Sequence, residues 1–68
     1  MSRRNMIAQN IKKLRKQFKL SQEELAQKAG ITYSTLIKIE SGANKNPTIT
    51  TVRKIALALN IGIDNLLL

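Results

Sequence analysis

An all-α fold of five short helices is what the sequence predicts, on three observations. Apolar residues recur three or four positions apart in separate stretches, as on one side of a helix. Side chains suited to capping a helix start stand in front of several of those stretches, at Ser21, Thr32 and Thr48. No run alternates apolar and polar residues as a half-buried strand would, and no repeat, low-complexity segment or linker divides the chain. Residues 1–68 are therefore expected to form a single small domain, near the size at which one core suffices only if it is well packed.

Ser2 can cap a first helix that runs to about Gln17 or Phe18. Ile7, Ile11, Leu14 and Phe18 form its expected buried stripe, and Lys12, Lys13 and Lys16 take the solvent side. A basic amphipathic helix can also serve a membrane surface or a calmodulin-type partner, but here the stripe has a folded domain to pack on. Arg15 sits beside the stripe, four residues after Ile11, and a charge at the margin of a core requires a partner. Glu40, at the end of the third helix, is the acid expected to meet it.

Ser21 followed by Glu24 is a capping box, in which each side chain satisfies a free backbone N–H of the other, so the second helix begins at Gln22. Leu25, Ala26 and Ala29 fall on one face, and Gly30 stands where a left-handed residue would end the helix. Thr32 caps the third helix, about 33–40, which buries Leu36 and Ile39. Ala26, four residues before Gly30, is small enough to let the third helix cross the second closely, at the steep angle a short turn imposes.

From Ser41 to Thr48 the sequence SGANKNPT is loop by content, since Gly, Asn and Pro supply turn geometry and little to bury. Thr48 caps a fourth helix in which Ile49, Val52, Ile55, Ala56 and Leu59 share an arc of about 120°, the expected core face. Asn60 can take the left-handed position that follows. Ile61 to Leu68 is short and apolar, with Gly62 acceptable as a cap and Asp64 in the first turn, where its charge suits the helix dipole; it is read as the fifth helix.

Composition narrows the function classes. With no Cys, no His and four scattered carboxylates, disulfides, thiolate chemistry and metal ligation are all without residues to perform them, and no metal or cofactor is expected. No apolar run approaches a membrane span and the first twenty residues are charged throughout, so neither membrane insertion nor a secretory leader is expected, and the cytoplasm is the expected compartment. An enzyme is not expected, because there is neither a nucleophile–base pair nor a Gly-rich phosphate loop, and no small-molecule ligand is expected. Twelve Lys and Arg against four acids give a net charge of +8, and seven of the twelve precede the first acid. A polyanion, nucleic acid above all, is the partner such a charge favours; a solvated basic face without a ligand is the plainer alternative.

The chain resembles the phage repressor and Cro-type helix-turn-helix family, also called the XRE family. The resemblance is carried by LRKQFKLSQEELAQKAGITYSTLIKIESG and by NPTITTVRKIALALNI, with Gln22, Leu25, Ala26, Gly30, Ile31, Leu36, Ile39, Glu40, Gly42 and Pro47 at the family's spacings. It implies a five-helix, lambda-repressor-like DNA-binding domain whose second and third helices form the helix-turn-helix. It also implies a transcriptional regulator that binds double-stranded DNA, usually as a homodimer on a palindromic operator. An antitoxin or accessory subunit of the same fold, with another protein as its main partner, is the alternative. For the regulator, control is expected to come from concentration, dimerisation or a separate protein.

Such a family member places the start of its third helix in the major groove. At 100° per residue, Ser34 and Lys38 each lie about 160° from Leu36, so both face away from the core. Lys38 can donate to guanine O6 and N7, Ser34 can pair with several base edges, and Tyr33 can meet a thymine methyl or bond through its hydroxyl. The competing readings are a phosphate contact for Lys38 and a half-buried anchor of the helix start for Tyr33. Gln22, at a helix N-terminus, resembles the family's phosphate-binding Gln, a plain first-turn residue being the alternative; Thr35, Asn44 and Lys45 are placed to hold the DNA backbone, and Arg3 and Arg4 either add electrostatic reach or belong to a disordered arm.

The sequence also departs from the family. Lys19 stands where Gly is common, so either the turn differs or it carries a left-handed residue at a cost of about 1 kcal/mol. Ile37, usually polar in the family, falls between the core and outward faces. Leu57 lies outside the arc of the fourth helix, and with Ile63, Leu67 and Leu68 it is the candidate dimer surface.

Overall fold

A computed structural model describes residues 4–67, with side chains from residue 6 onward. Five helices follow one another: α1 (Arg4–Gln17), α2 (Gln22–Ala29), α3 (Tyr33–Glu40), α4 (Ile49–Ala58) and α5 (Asp64–Leu67). Among the described residues there is no strand. Ser2 and Arg3 lie outside the described residues, as do the side chain of Arg4 and all of Leu68.

Each helix brings apolar residues to one core: Ile11 from α1, Leu25 and Ala26 from α2, Leu36 and Ile39 from α3, Val52, Ile55 and Ala56 from α4, and Leu66 from α5. In the packing, α1 touches α3 and α5, and α2 touches α3 and α4. The third helix is thus backed by both of the helices before it. Close packing of this kind is what allows a chain this short to be stable, since about 25 cal/mol is gained for each Å² of apolar surface removed from water.

Three helices end in the same way. Lys19, Gly30 and Asn60 have φ of 57°, 72° and 56°, in the left-handed region. The N–H of the residue after each, Leu20, Ile31 and Ile61, reaches back to the carbonyls of Arg15, Ala26 and Ala56 at 3.1, 3.0 and 3.0 Å. Those three following residues are apolar and pack against the core. This is the Schellman arrangement, in which the hydrogen bond and the apolar contact together stop the helix. Lys19 is therefore left-handed in the turn where the family commonly has Gly. A Cβ added at Gly30 would meet nothing within 4 Å, so glycine serves that position through its backbone freedom alone.

Two expected core residues are not in the core. Phe18 is 50% exposed, because α1 stops at Gln17 and the left-handed turn at Lys19 hands the inward position to Leu20. Ile49 is 56% exposed. It is the first residue of α4, and helical side chains lean toward the N-terminus, so its side chain projects past the packed end of the helix. Conversely, Ala8 and Leu66 are buried. Asn10, on the inward side of α1, is satisfied there by donating from Nδ2 to the Leu66 carbonyl at 3.0 Å, which ties α1 to α5.

Candidate nucleic-acid interface

Helix α3 is fixed at both ends before its outward face is considered. The Thr32 hydroxyl accepts from the Thr35 N–H at 3.1 Å at its start. At its end the Ser41 N–H donates to Ile37 at 2.9 Å, and the Asn44 N–H reaches back to Lys38 at 2.8 Å with Gly42 left-handed between them. The helix before it is held by the capping box, with Ser21 N–H donating to Glu24 Oε1 at 2.8 Å and Glu24 N–H to Ser21 Oγ at 3.0 Å. The Ser21 backbone N–H first, and its hydroxyl second, hold the Glu24 carboxyl below its ordinary value.

Beneath α3 lies a buried polar network centred on Glu40, which is 3% exposed. Arg15 Nε donates to Glu40 Oε2 at 2.8 Å and Arg15 Nη2 to Oε1 at 3.1 Å, a two-pronged pair that matches the planar guanidinium to the carboxylate. Gln22 Nε2 donates to the same Oε1 at 3.1 Å, and Arg15 Nη1 donates to the Leu20 carbonyl at 2.8 Å. The network therefore joins the end of α1, the turn after it, the start of α2 and the end of α3. Among the described residues no buried side-chain polar atom lacks a partner. A fully satisfied cluster of this kind specifies one arrangement of its elements, since any shift would strand a buried charge.

The outward face is open. Tyr33 is 46% exposed, and Ser34 and Lys38 are exposed, with no hydrogen bond from their side chains among the described residues. Ile37 is half-buried between the two faces. Lys45 is exposed in the loop after α3, and Asn44 Oδ1 accepts from the Asn46 N–H at 3.1 Å, which leaves the Asn44 amide N–H groups available. Thr35 is half-buried, its hydroxyl 2.7 Å from that of Thr32. Gln22 is half-buried and keeps its second amide N–H for another acceptor, so its bond to Glu40 orients it without using it up. The link between Gln22 and Glu40 had no signal in the sequence, because neither residue's spacing points to the other.

The candidate dimer surface divides: Leu57 and Leu67 are exposed at 73% and 46%, while Ile63 is half-buried against the core. Among the described residues no His, Cys, Asp and Glu cluster suited to a metal ion is present, and no helix is long and apolar enough to cross a membrane.

A helix-turn-helix family model matches residues 11–66. The chain is 40% identical over 62 residues to the HTH-type transcriptional regulator SinR of Bacillus subtilis (strain 168), covering 91% of this chain and 56% of SinR. It is 36% identical over 56 residues to an HTH-type transcriptional regulator of Archaeoglobus fulgidus, covering 82% of this chain and 78% of that protein. The chain thus spans about half the length of SinR. Among solved structures, the N-terminal DNA binding domain of SinR from Bacillus subtilis superposes with a TM-score of 0.89 at 40% identity, covering 93% of this chain and 91% of that one. With α2 and α3 held at their crossing by Gly30 and the Glu40 network, the chain belongs to the helix-turn-helix family, in its phage-repressor-like (XRE) branch.

Proposed function

We propose that residues 1–68 act as one DNA-binding domain of a cytoplasmic transcriptional regulator that works by occupying duplex DNA and not by catalysis. The observation that carries this reading is the open outward face of α3 above a locked inward one: Tyr33, Ser34 and Lys38 are exposed on a helix whose position the Arg15–Glu40–Gln22 network fixes. In this reading Tyr33, Ser34 and Lys38 meet base edges in the major groove, and Gln22, Thr35, Asn44 and Lys45 hold phosphates on either side. The net charge of +8 supplies the long-range attraction and the non-specific affinity. SinR, a transcriptional regulator with a DNA-binding domain of this fold, supports the assignment by its likeness.

A two-fold homodimer is part of the proposal. A body of 29 × 22 × 21 Å is of a size that lets two copies touch at one flank while their recognition helices enter successive major grooves about 34 Å apart. Leu57 and Leu67, both exposed, are the apolar residues offered for that contact. Selection of bound sequences from a random duplex pool is the test, and a palindrome with half-sites about 10 bp apart is the expected product. Affinity for it should fall with a log–log salt slope of about −0.9 per neutralised phosphate. Binding that ignores salt, or a pool that yields no preferred sequence, would remove the assignment.

A further inference from the structure

A second surface lies away from α3. Phe18, Leu20, Lys28, Ala58, Leu59 and Asn60 line an open groove of about 320 Å³, and none of them belongs to α3 or to the 41–48 loop. Its floor is apolar, with Leu59 buried, Leu20 and Ala58 half-buried, and the half-exposed Phe18 ring on one side. Its polar residues are one cation and one amide, Lys28 and Asn60, and no carboxylate lines it. Exposed Lys19 stands between two of the lining residues.

The backbone adds an independent observation. Among the described residues the two non-glycine positions with positive φ are Lys19 and Asn60; Asn60 lines this groove, and Lys19 lies in the chain between the lining residues Phe18 and Leu20. Glycine would serve either turn with less strain, as it does at Gly30. Asn is an ordinary occupant of such a helix stop, but a Lys kept in the left-handed region where glycine is easier points to a use for the Lys19 side chain. The Asn60 amide lies at the apolar trough, and the exposed Lys19 follows Phe18 in the chain.

We propose that this groove is a protein-interaction surface that receives an acidic segment of a partner protein. An apolar side chain of the segment seats against Phe18 and Leu59, and flanking carboxylates accept hydrogen bonds from Lys19, Lys28 and Asn60. Charge complementarity commits the occupant: a chain of net charge +8 whose apolar trough is lined by Lys28, with Lys19 next to it in sequence, and by no acid repels a basic partner and favours an acidic one. The inference stands on the groove itself and does not depend on the reading of α3.

The test is selection from a random-peptide display library on the full 68-residue chain, with binding of the enriched peptides measured by fluorescence anisotropy. Enriched peptides should combine a large apolar residue with neighbouring Asp or Glu. Phe18→Ser should weaken them by about tenfold or more, as loss of a central apolar anchor does. Lys28→Glu should weaken them too, and a peptide with Lys in place of its acids should regain binding to that variant. Lys19→Gly separates recognition from folding, because it should raise Tm while lowering peptide affinity. Amide NMR shifts on adding peptide should centre on residues 18–20, 28 and 58–60. Failure to enrich acidic peptides, or equal binding to Phe18→Ser, would overturn the proposal. So would displacement of the peptide by excess duplex DNA, which would give the groove to the DNA face. Self-association abolished by Phe18→Ser would overturn it in favour of a second copy of the chain.

Discussion

Along α3 the buried residues Leu36, Ile39 and Glu40 and the exposed residues Tyr33, Ser34 and Lys38 share one backbone and one pair of caps, yet they are constrained in opposite ways. Leu36 and Ile39 are enclosed by the core, and both oxygens of Glu40 accept hydrogen bonds from named donors on other helices. On the other side the side chains meet no partner among the described residues. Inside, geometry leaves little choice of residue; outside, any side chain that tolerates a helix can stand. A sequence reader can therefore be placed on this scaffold and changed without rebuilding it.

The largest expected effect breaks the inner side. Glu40→Ala leaves Arg15 and Gln22 without their acceptor, and losing one partner of a buried pair costs about 3–5 kcal/mol, much of the total stability of a small domain. Urea denaturation measures it, and a loss below about 1 kcal/mol would mean that the network does not hold the helices. Arg15→Met combined with Glu40→Leu should recover most of that loss, since a buried pair replaced by apolar residues of similar volume is often neutral.

On the outer side the balance reverses. Lys38→Ala should leave stability within about 0.5 kcal/mol while costing about 1–3 kcal/mol of operator affinity and relaxing preference at one base position. Repeating the selection from a random duplex pool checks the second part. Uniform weakening across all sequences would make Lys38 a phosphate contact, with the code left to Tyr33 and Ser34.

The two remaining changes act on helix ends and are smaller. Lys19→Gly removes a left-handed side chain and should stabilise the fold by about 1 kcal/mol, read as a rise in Tm. Glu24→Gln concerns the start of α2. The folded carboxyl titrates below its ordinary value of 4.5 because the Ser21 N–H and hydroxyl favour its charged form. That contribution is fully present above the unfolded value and is lost as pH falls through the lower folded one. The Tm difference between the wild type and Glu24→Gln should thus be largest at neutral pH and vanish in acid.

Most of the helix-turn-helix was legible in the sequence because its signals are local. The Ser21–Glu24 box, Gly30 and Thr32 each act within a few residues of their own position, and the structure has each in its capping or terminating place. The helical period misplaces Phe18, past the end of α1, and Ile49, at the first residue of α4, both of which are exposed. A helical wheel assumes that neighbouring elements cover its whole length, and at the ends they do not. Asn10, a polar residue beside an apolar stripe, makes a part-buried hydrogen bond to Leu66 that the period of the stripe does not indicate. The bond from Gln22 to Glu40 joins residues far apart in the chain and depends on how the helices cross, which no local pattern encodes.

The shared ending of α1, α2 and α4 has a consequence for how the chain comes to its shape. Each of these stops is written within six consecutive residues, from Arg15 to Leu20, from Ala26 to Ile31 and from Ala56 to Ile61. Helix length is therefore decided by near neighbours, while distant partners such as Arg15 and Glu40 decide only the angles at which finished helices meet. The ends of these helices are in this sense specified locally, and tertiary contacts select how segments with fixed ends are arranged.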